Sequence, residues 1–273
     1  MEGQSLLENL EGHVVICNCN EKVRSIVGEL QAGTSHEPLD IVLLVQDRYL
    51  WEKNPSWHPE DRRSMMFIVL YGSPFDEELL FNANIKKARA AIILADPNQG
   101  NLADAQSTLT AVAIEKQNPQ VHTVQELILS INRDHLKALN VDEVVCIGEM
   151  AEKLIAQSCI TPGVKNIFAN LLSTGVGTPQ ILLPKITKEV SGKTYREISR
   201  MCILGDAPFI VIGFVLNSSF IPLEDRHQNM ITNTFIINPK KFGKDVALTE
   251  GDKLIVIAYE QIPELHTFID AIS

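Results

Sequence analysis

The first half of the chain alternates short apolar runs with amphipathic stretches. Five runs read as strands: His13–Cys17, Asp40–Val45, Met66–Leu70, Ala90–Leu94 and Val121–Val124. They are brief and rich in β-branched residues, the pattern of strands buried on both faces. Between them, Val23, Ile26, Val27 and Leu30 recur at helical spacing, and Leu102, Ala105, Leu109, Val112 and Ala113 do much the same. Strand and helix in alternation predict a parallel sheet with right-handed crossovers. Tyr49–Ser64, "YLWEKNPSWHPEDRRS", breaks the rhythm with charged clusters, prolines and both tryptophans where a helix would sit. It reads as an irregular insertion, either an interaction loop or a loop packed over the sheet edge by Trp51 and Trp57.

The second half has a different texture. Met150, Leu154 and Ile155 begin one apolar stripe, and Val164, Ile167, Phe168, Leu171 and Leu172 form another. Pro162-Gly163 breaks the helix between them. Two short apolar helices that follow a complete domain are expected to pack on another subunit or domain. A DNA-binding helix-turn-helix is the competing reading, but Lys165 is the second helix's only base and its apolar content is too high for a groove. "STGVGTP", residues 173–179, has linker composition. Beyond it come a short helix at Lys193–Arg200, strands at Phe209–Leu216, Thr234–Ile237 and Lys253–Ala258, a Glu250-Gly251-Asp252 turn, and a polar insertion at Leu223–Asn233. The fold class expected is α/β: a Rossmann-like parallel sheet over 12–148, crossover helices over 149–175, and a small α+β subdomain over 178–273.

Composition narrows the function classes. The 273 residues are 45% hydrophobic and 21% charged, enough for a sizeable core. The formal net charge of −10 argues against a nucleic-acid partner, whose phosphates call for Lys and Arg. The cysteine count of 5 is odd, and the Cys17-x-Cys19 pair has no second pair or His cluster to complete a four-ligand zinc site. Reduced thiols in a cytosolic protein are expected. No apolar run approaches the roughly 18 residues that span a bilayer, and the polar, acidic Met1–Glu11 stretch does not read as a signal peptide.

Three segments together resemble the regulator of potassium conductance (RCK) family. "LYGSPFDEELLFNANIKKARAAIILAD", residues 70–96, is similar to the family's third strand, Gly-led turn and approach to strand four. "VCIGEMAEKLIAQSCITPGVKNIFANLL", residues 145–172, is similar to the crossover helices of large-conductance calcium-activated channels. "FIINPKKFGKDVALTEGDKLIVIA", residues 235–258, resembles the C-terminal subdomain. The order and spacing of the three carry the resemblance, which runs from about Gly12 to Ala258. It implies the cytosolic part of a ligand-gated potassium channel. Such domains form dimers that assemble into a ring under a pore domain, at the cytoplasmic face of the membrane.

The ligand is sought at "HVVICNCNEKVRSIVGEL", residues 13–30, a strand–turn–helix in which a dinucleotide fold usually carries three glycines. Those places fall on Asn18, Asn20 and Val23. Asn tolerates positive φ, so the turn survives; Asn20 also suits a helix N-cap. Two added side chains crowd the pyrophosphate's place, and Glu21 repels it. Asp47, beyond strand two, sits where an acidic residue bonds the ribose. Gly72 and Ser73 follow strand three, and Asp96 follows strand four. By resemblance, nucleotide-binding members have an acidic residue at Ser73's place. The candidate nucleotide set is Asn18, Cys19, Asn20, Asp47, Gly72, Ser73 and Asp96, with NAD or an adenine nucleotide as ligand; the alternative is a retained frame with an empty or remodelled pocket. Calcium is the second candidate, with Asp96 and Glu126 as oxygen ligands. Glu126 matches a position that is acidic in some calcium-gated relatives, while its usual glutamate companion is Ile128.

The expected function is therefore conformational gating of potassium flux, without catalysis. A free-standing nucleotide-sensing subunit of a potassium transporter is the alternative. A dinucleotide-dependent oxidoreductase would need a convergent acid or base; yet His13 begins a strand, His36 and His58 lie in loops, and His135 belongs to a packing helix.

Overall fold

The computed structural model describes residues 7, 9–34, 39–60, 66–136, 139, 141–175, 177–217, 234–240, 243–260 and 262. The chain divides into two compact units, Met1–Lys165 and Asn166–Ser273.

In the first unit, β1 (Val14–Cys17), β2 (Ile41–Val45), β3 (Phe67–Tyr71), β4 (Ala90–Ile93), β5 (His122–Leu127) and β6 (Glu143–Cys146) form a sheet. Every pairing in it is parallel, in the order β3-β2-β1-β4-β5-β6. The order reverses between β1 and β4, which is the switch point of a doubly wound dinucleotide fold.

The apolar runs are explained by burial on both faces. Val14, Ile16, Ile41 and Leu43 pack with Val23 and Val27 of α1 (Lys22–Gly33). Their neighbours Val15, Cys17, Val42 and Leu44 face the other way, onto Leu80 of α3 (Glu77–Asn82) and Ala111 and Ile114 of α4 (Ala103–Gln117).

The Tyr49–Ser64 segment is more ordered than its composition suggests. Arg48–Lys53 forms α2, capped by Asp47 Oδ1, which accepts the Leu50 N–H at 2.9 Å. A 3-10 turn, Pro55–Trp57, follows. Trp51 is buried and stacked on His58 (centroids 4.1 Å apart), and Trp57 packs against the same cluster. The packed reading of this segment holds over residues 49–60, and residues 61–64 lie outside the described set. After the short α5 (Arg133–Leu136) and β6 come α6 (Ile147–Ile160) and α7 (Val164–Leu172), and the boundary between the units falls inside α7.

In the second unit, β7 (Gln180–Leu182), β8 (Phe209–Leu216), β9 (Thr234–Ile237) and β10 (Lys253–Ala258) form an antiparallel sheet, ordered β7-β10-β8-β9. Tyr195, Ile198 and Cys202 of α8 (Tyr195–Leu204) pack on Phe214, Leu216, Leu254 and Val256. Thr194 and Glu197 close a reciprocal capping box at the helix start. Gly213 is required by the β8–β9 contact: an added Cβ would meet the Ile236 carbonyl oxygen at 2.1 Å. The Glu250-Gly251-Asp252 turn is organised by Asp252. One of its buried carboxylate oxygens accepts the Asn217 N–H (2.9 Å), and the other accepts the Thr249 N–H (2.7 Å). The Leu223–Asn233 insertion lies outside the described residues.

Candidate functional site

The C-terminal ends of β1, β2 and β4 open onto a cleft of about 390 Å³ lined by Asn18, Cys19, Gln46, Asp47, Leu50, Asp96 and Gln99. Its size and its place at the switch point are those of a small-ligand site.

The first turn keeps the shape of the dinucleotide loop without its glycines. Asn18 sits in the left-handed region (φ 70), and its Nδ2 donates to the Leu94 carbonyl at 2.7 Å. Asn20 Nδ2 donates to the Ala95 carbonyl at 3.1 Å. Both carboxamides thus tie the turn to the end of β4. The cap position of α1 is Glu21, which makes no side-chain capping bond. The cap expected of Asn20 is displaced by one residue: its Oδ1 accepts the Lys22 N–H at 2.9 Å. Burial, joined by the nearby charges of Asp96 and Asp47, pushes the Cys19 thiol up to about 12. Burial alone pushes Cys17 up to about 12 as well. Neither is a thiolate near neutral pH, so neither is a ready nucleophile.

Of the residues singled out from the sequence, Asn18, Cys19, Asp47 and Asp96 meet in the cleft lining. Asn20 is buried beneath the turn, and Gly72 and Ser73 lie after β3, outside the lining. Gly72 gives its N–H to the Val45 carbonyl, and the Ser73 hydroxyl is buried without a hydrogen-bond partner among the described residues. Glu126 lies within β5, not after it, and is buried. Its Oε1 meets Lys22 Nζ at 2.5 Å, and its Oε2 accepts the Ala95 N–H at 3.2 Å. The Asp96–Glu126 pair expected for calcium therefore has Lys22 as a competitor for Glu126. Among the described residues, no group of three or more His, Cys, Asp or Glu side chains could hold a metal ion. Gln46, Leu50, Gln99 and Lys22 were not evident from the sequence. Gln46 adjoins Asp47 at the strand end, the one local hint that was available.

Helices α6 and α7 have no buried residue. Met150, Ile155, Ile160, Ile167, Phe168 and Leu172 are all exposed, Ile155 by 71%. Contiguous apolar exposure is common at surfaces that bind a partner. No helix among the described residues is long and apolar enough to cross a membrane.

Residues 9–125 match the family model described as the calcium-activated potassium channel slowpoke-like RCK domain. The calcium-gated potassium channel TvoK of Thermoplasma volcanium is 26% identical over 172 residues, covering 62% of this chain and 46% of that protein. Human potassium channel subfamily T member 1 is 26% identical over 210 residues, covering 73% of this chain and 16% of that protein. The chain thus spans less than half the length of either relative. The human SLO3 gating ring superposes with a TM-score of 0.62 at 18% identity, covering 90% of this chain and 44% of that one. At that identity the likeness is one of fold.

Proposed function

We propose that the chain is a cytosolic ligand-sensing module that gates potassium flux, from the premise that residues 9–125 match the slowpoke-like RCK domain model. What carries the reading is a coincidence: the family match covers the segment whose strand ends and turns open the switch-point cleft. Ligand in that cleft shifts the balance between two shapes of an oligomeric ring, by no more than its differential affinity for them. The exposed apolar residues of α6 and α7 support a homodimer contact within such a ring. A pore domain supplies the membrane path and places the module at the cytoplasmic face. A free-standing regulatory subunit of a potassium transporter would use the same cleft and the same helices.

The module is read as a regulator because the family model and the relatives that it matches are those of potassium channels. The proposed site residues are Asn18, Cys19, Asp47 and Asp96 at the cleft, with Asn20, Gly72 and Ser73 shaping the turns around it. An adenine-bearing ligand, NAD or an adenine nucleotide, is favoured by Asp47 at the ribose position. Calcium is the second ligand class, with Asp96 and Glu126 as its oxygen donors once Lys22 is displaced. Isothermal titration of the purified chain with NAD, ADP and calcium in turn, paired with sedimentation velocity, tests the reading. Heat from at least one ligand, with a change in sedimentation, is expected. No heat from any of them overturns the sensing role.

A further inference from the structure

The charge of the cleft conflicts with the phosphate-rich ligand that its frame usually holds. In a dinucleotide fold the pyrophosphate lies over the first turn, against free N–H groups and the positive end of the helix. Here Asn20 Oδ1 occupies the Lys22 N–H, and Glu21 sets an acidic residue at the cap. Lys22, at the first position of α1, is held by Glu126 at 2.5 Å, and Glu126 is itself fixed by the Ala95 N–H. Asp47 and Asp96 flank Cys19 closely enough to oppose its ionisation, in addition to burial. Among the described residues, no lysine, arginine or histidine lines the cleft.

We propose that Asp47 and Asp96 make this cleft select its adenine-bearing ligand by charge, favouring the uncharged nucleoside portion and penalising each unneutralised phosphate. The proposal rests on the reading of the cleft as a ligand site. It follows from one carboxylate serving two ends: Asp47 accepts hydrogen bonds from ribose hydroxyls and repels phosphates through a cleft that no described lysine, arginine or histidine lines. Adenosine binds best. NAD, whose pyridinium offsets part of its phosphate charge, follows; AMP comes next, and ADP is weakest.

The experiment is isothermal titration of the full chain with adenosine, NAD, AMP and ADP in buffer containing a chelator. The wild type is compared with Asp47→Asn and Asp96→Asn. Asparagine keeps an oxygen to cap the Leu50 N–H and removes only the charge. Each substitution is expected to improve ADP relative to adenosine on the order of tenfold, with unchanged circular dichroism. ADP binding the wild type as tightly as adenosine overturns the proposal and leaves the ligand site standing. So does an ADP-to-adenosine ratio that neither variant moves. If no adenine compound binds the wild type or either variant, the proposal and the adenine reading of the cleft fall together, and calcium is left as the ligand class to test.

Discussion

At the scale of single residues, His13 couples burial to pH. Its ring is fully buried just before β1, with Nε2 at 2.9 Å from the Ala83 carbonyl oxygen. Burial holds its pKa below the ordinary 6.5, outweighing the Ala83 bond and the Asp40 charge, which push the other way. Between the depressed folded value and 6.5 the unfolded chain binds a proton that the native chain refuses. Stability therefore rises with pH through that window and levels off above it. The urea midpoint should fall as pH drops from about 7 to about 5, and the His13→Leu profile should be flatter over that span. Parallel profiles would remove His13 as the cause. The same scale shows what the sequence disclosed of the cleft. Asn18, Cys19, Asp47 and Asp96 were legible because each follows a strand whose C-terminal end the fold brings to one edge. Gly72 and Ser73 obey the same rule but follow β3, at the far side of β2 from the switch point, and so miss the lining. The Lys22–Glu126 pair was invisible because its partners are 104 residues apart, and no local pattern records such a contact.

At the scale of elements, α6 and α7 carry a run of exposed apolar side chains. Phe168 on α7 is 46% exposed and lies among Ile167 and Leu172, which are also open. Covering a Phe of this kind is worth about 1.5–3 kcal/mol, and a carboxylate in its place would have to be desolvated. Phe168→Asp should weaken self-association on the order of a hundredfold or more, giving monomers by light scattering with circular dichroism unchanged. An unaltered oligomer would remove α7 from the interface. The periodicity that exposed these helices also placed most of the strands. Phe209–Leu216, Thr234–Ile237 and Lys253–Ala258 fall where the apolar runs lie, and the first five strands shift by only a residue or so at most ends. β6 and β7 were not legible. "EVVC" and "QIL" are too short to show a period, and each is made a strand by its neighbour, β5 for one and β10 for the other. Helix α2 was hidden for a different reason: its helical start depends on the Asp47 cap, inside a segment that the prolines and charges after it mark as irregular.

At the scale of the whole molecule, two forces oppose each other in assembly. The chain carries a formal charge of −10, so copies repel at long range. Its exposed apolar helices attract at contact, through a term that is not weakened by screening. Added salt shortens the reach of the repulsion, with a Debye length of about 10 Å at 0.1 M and about 3 Å at 1 M. Self-association should therefore tighten as ionic strength rises, which sedimentation equilibrium in low and near-molar potassium chloride would read directly. The choice of salt also separates screening from site binding. If potassium and sodium chlorides act alike, the effect is screening of the net charge, whereas a difference between them would indicate a cation held at a site. Association that weakens with salt would mean that ion pairs, and not the α6 and α7 residues, hold the copies together. In that case Phe168→Asp should leave self-association intact, so the salt series and the substitution must agree for the proposed assembly to be an apolar one.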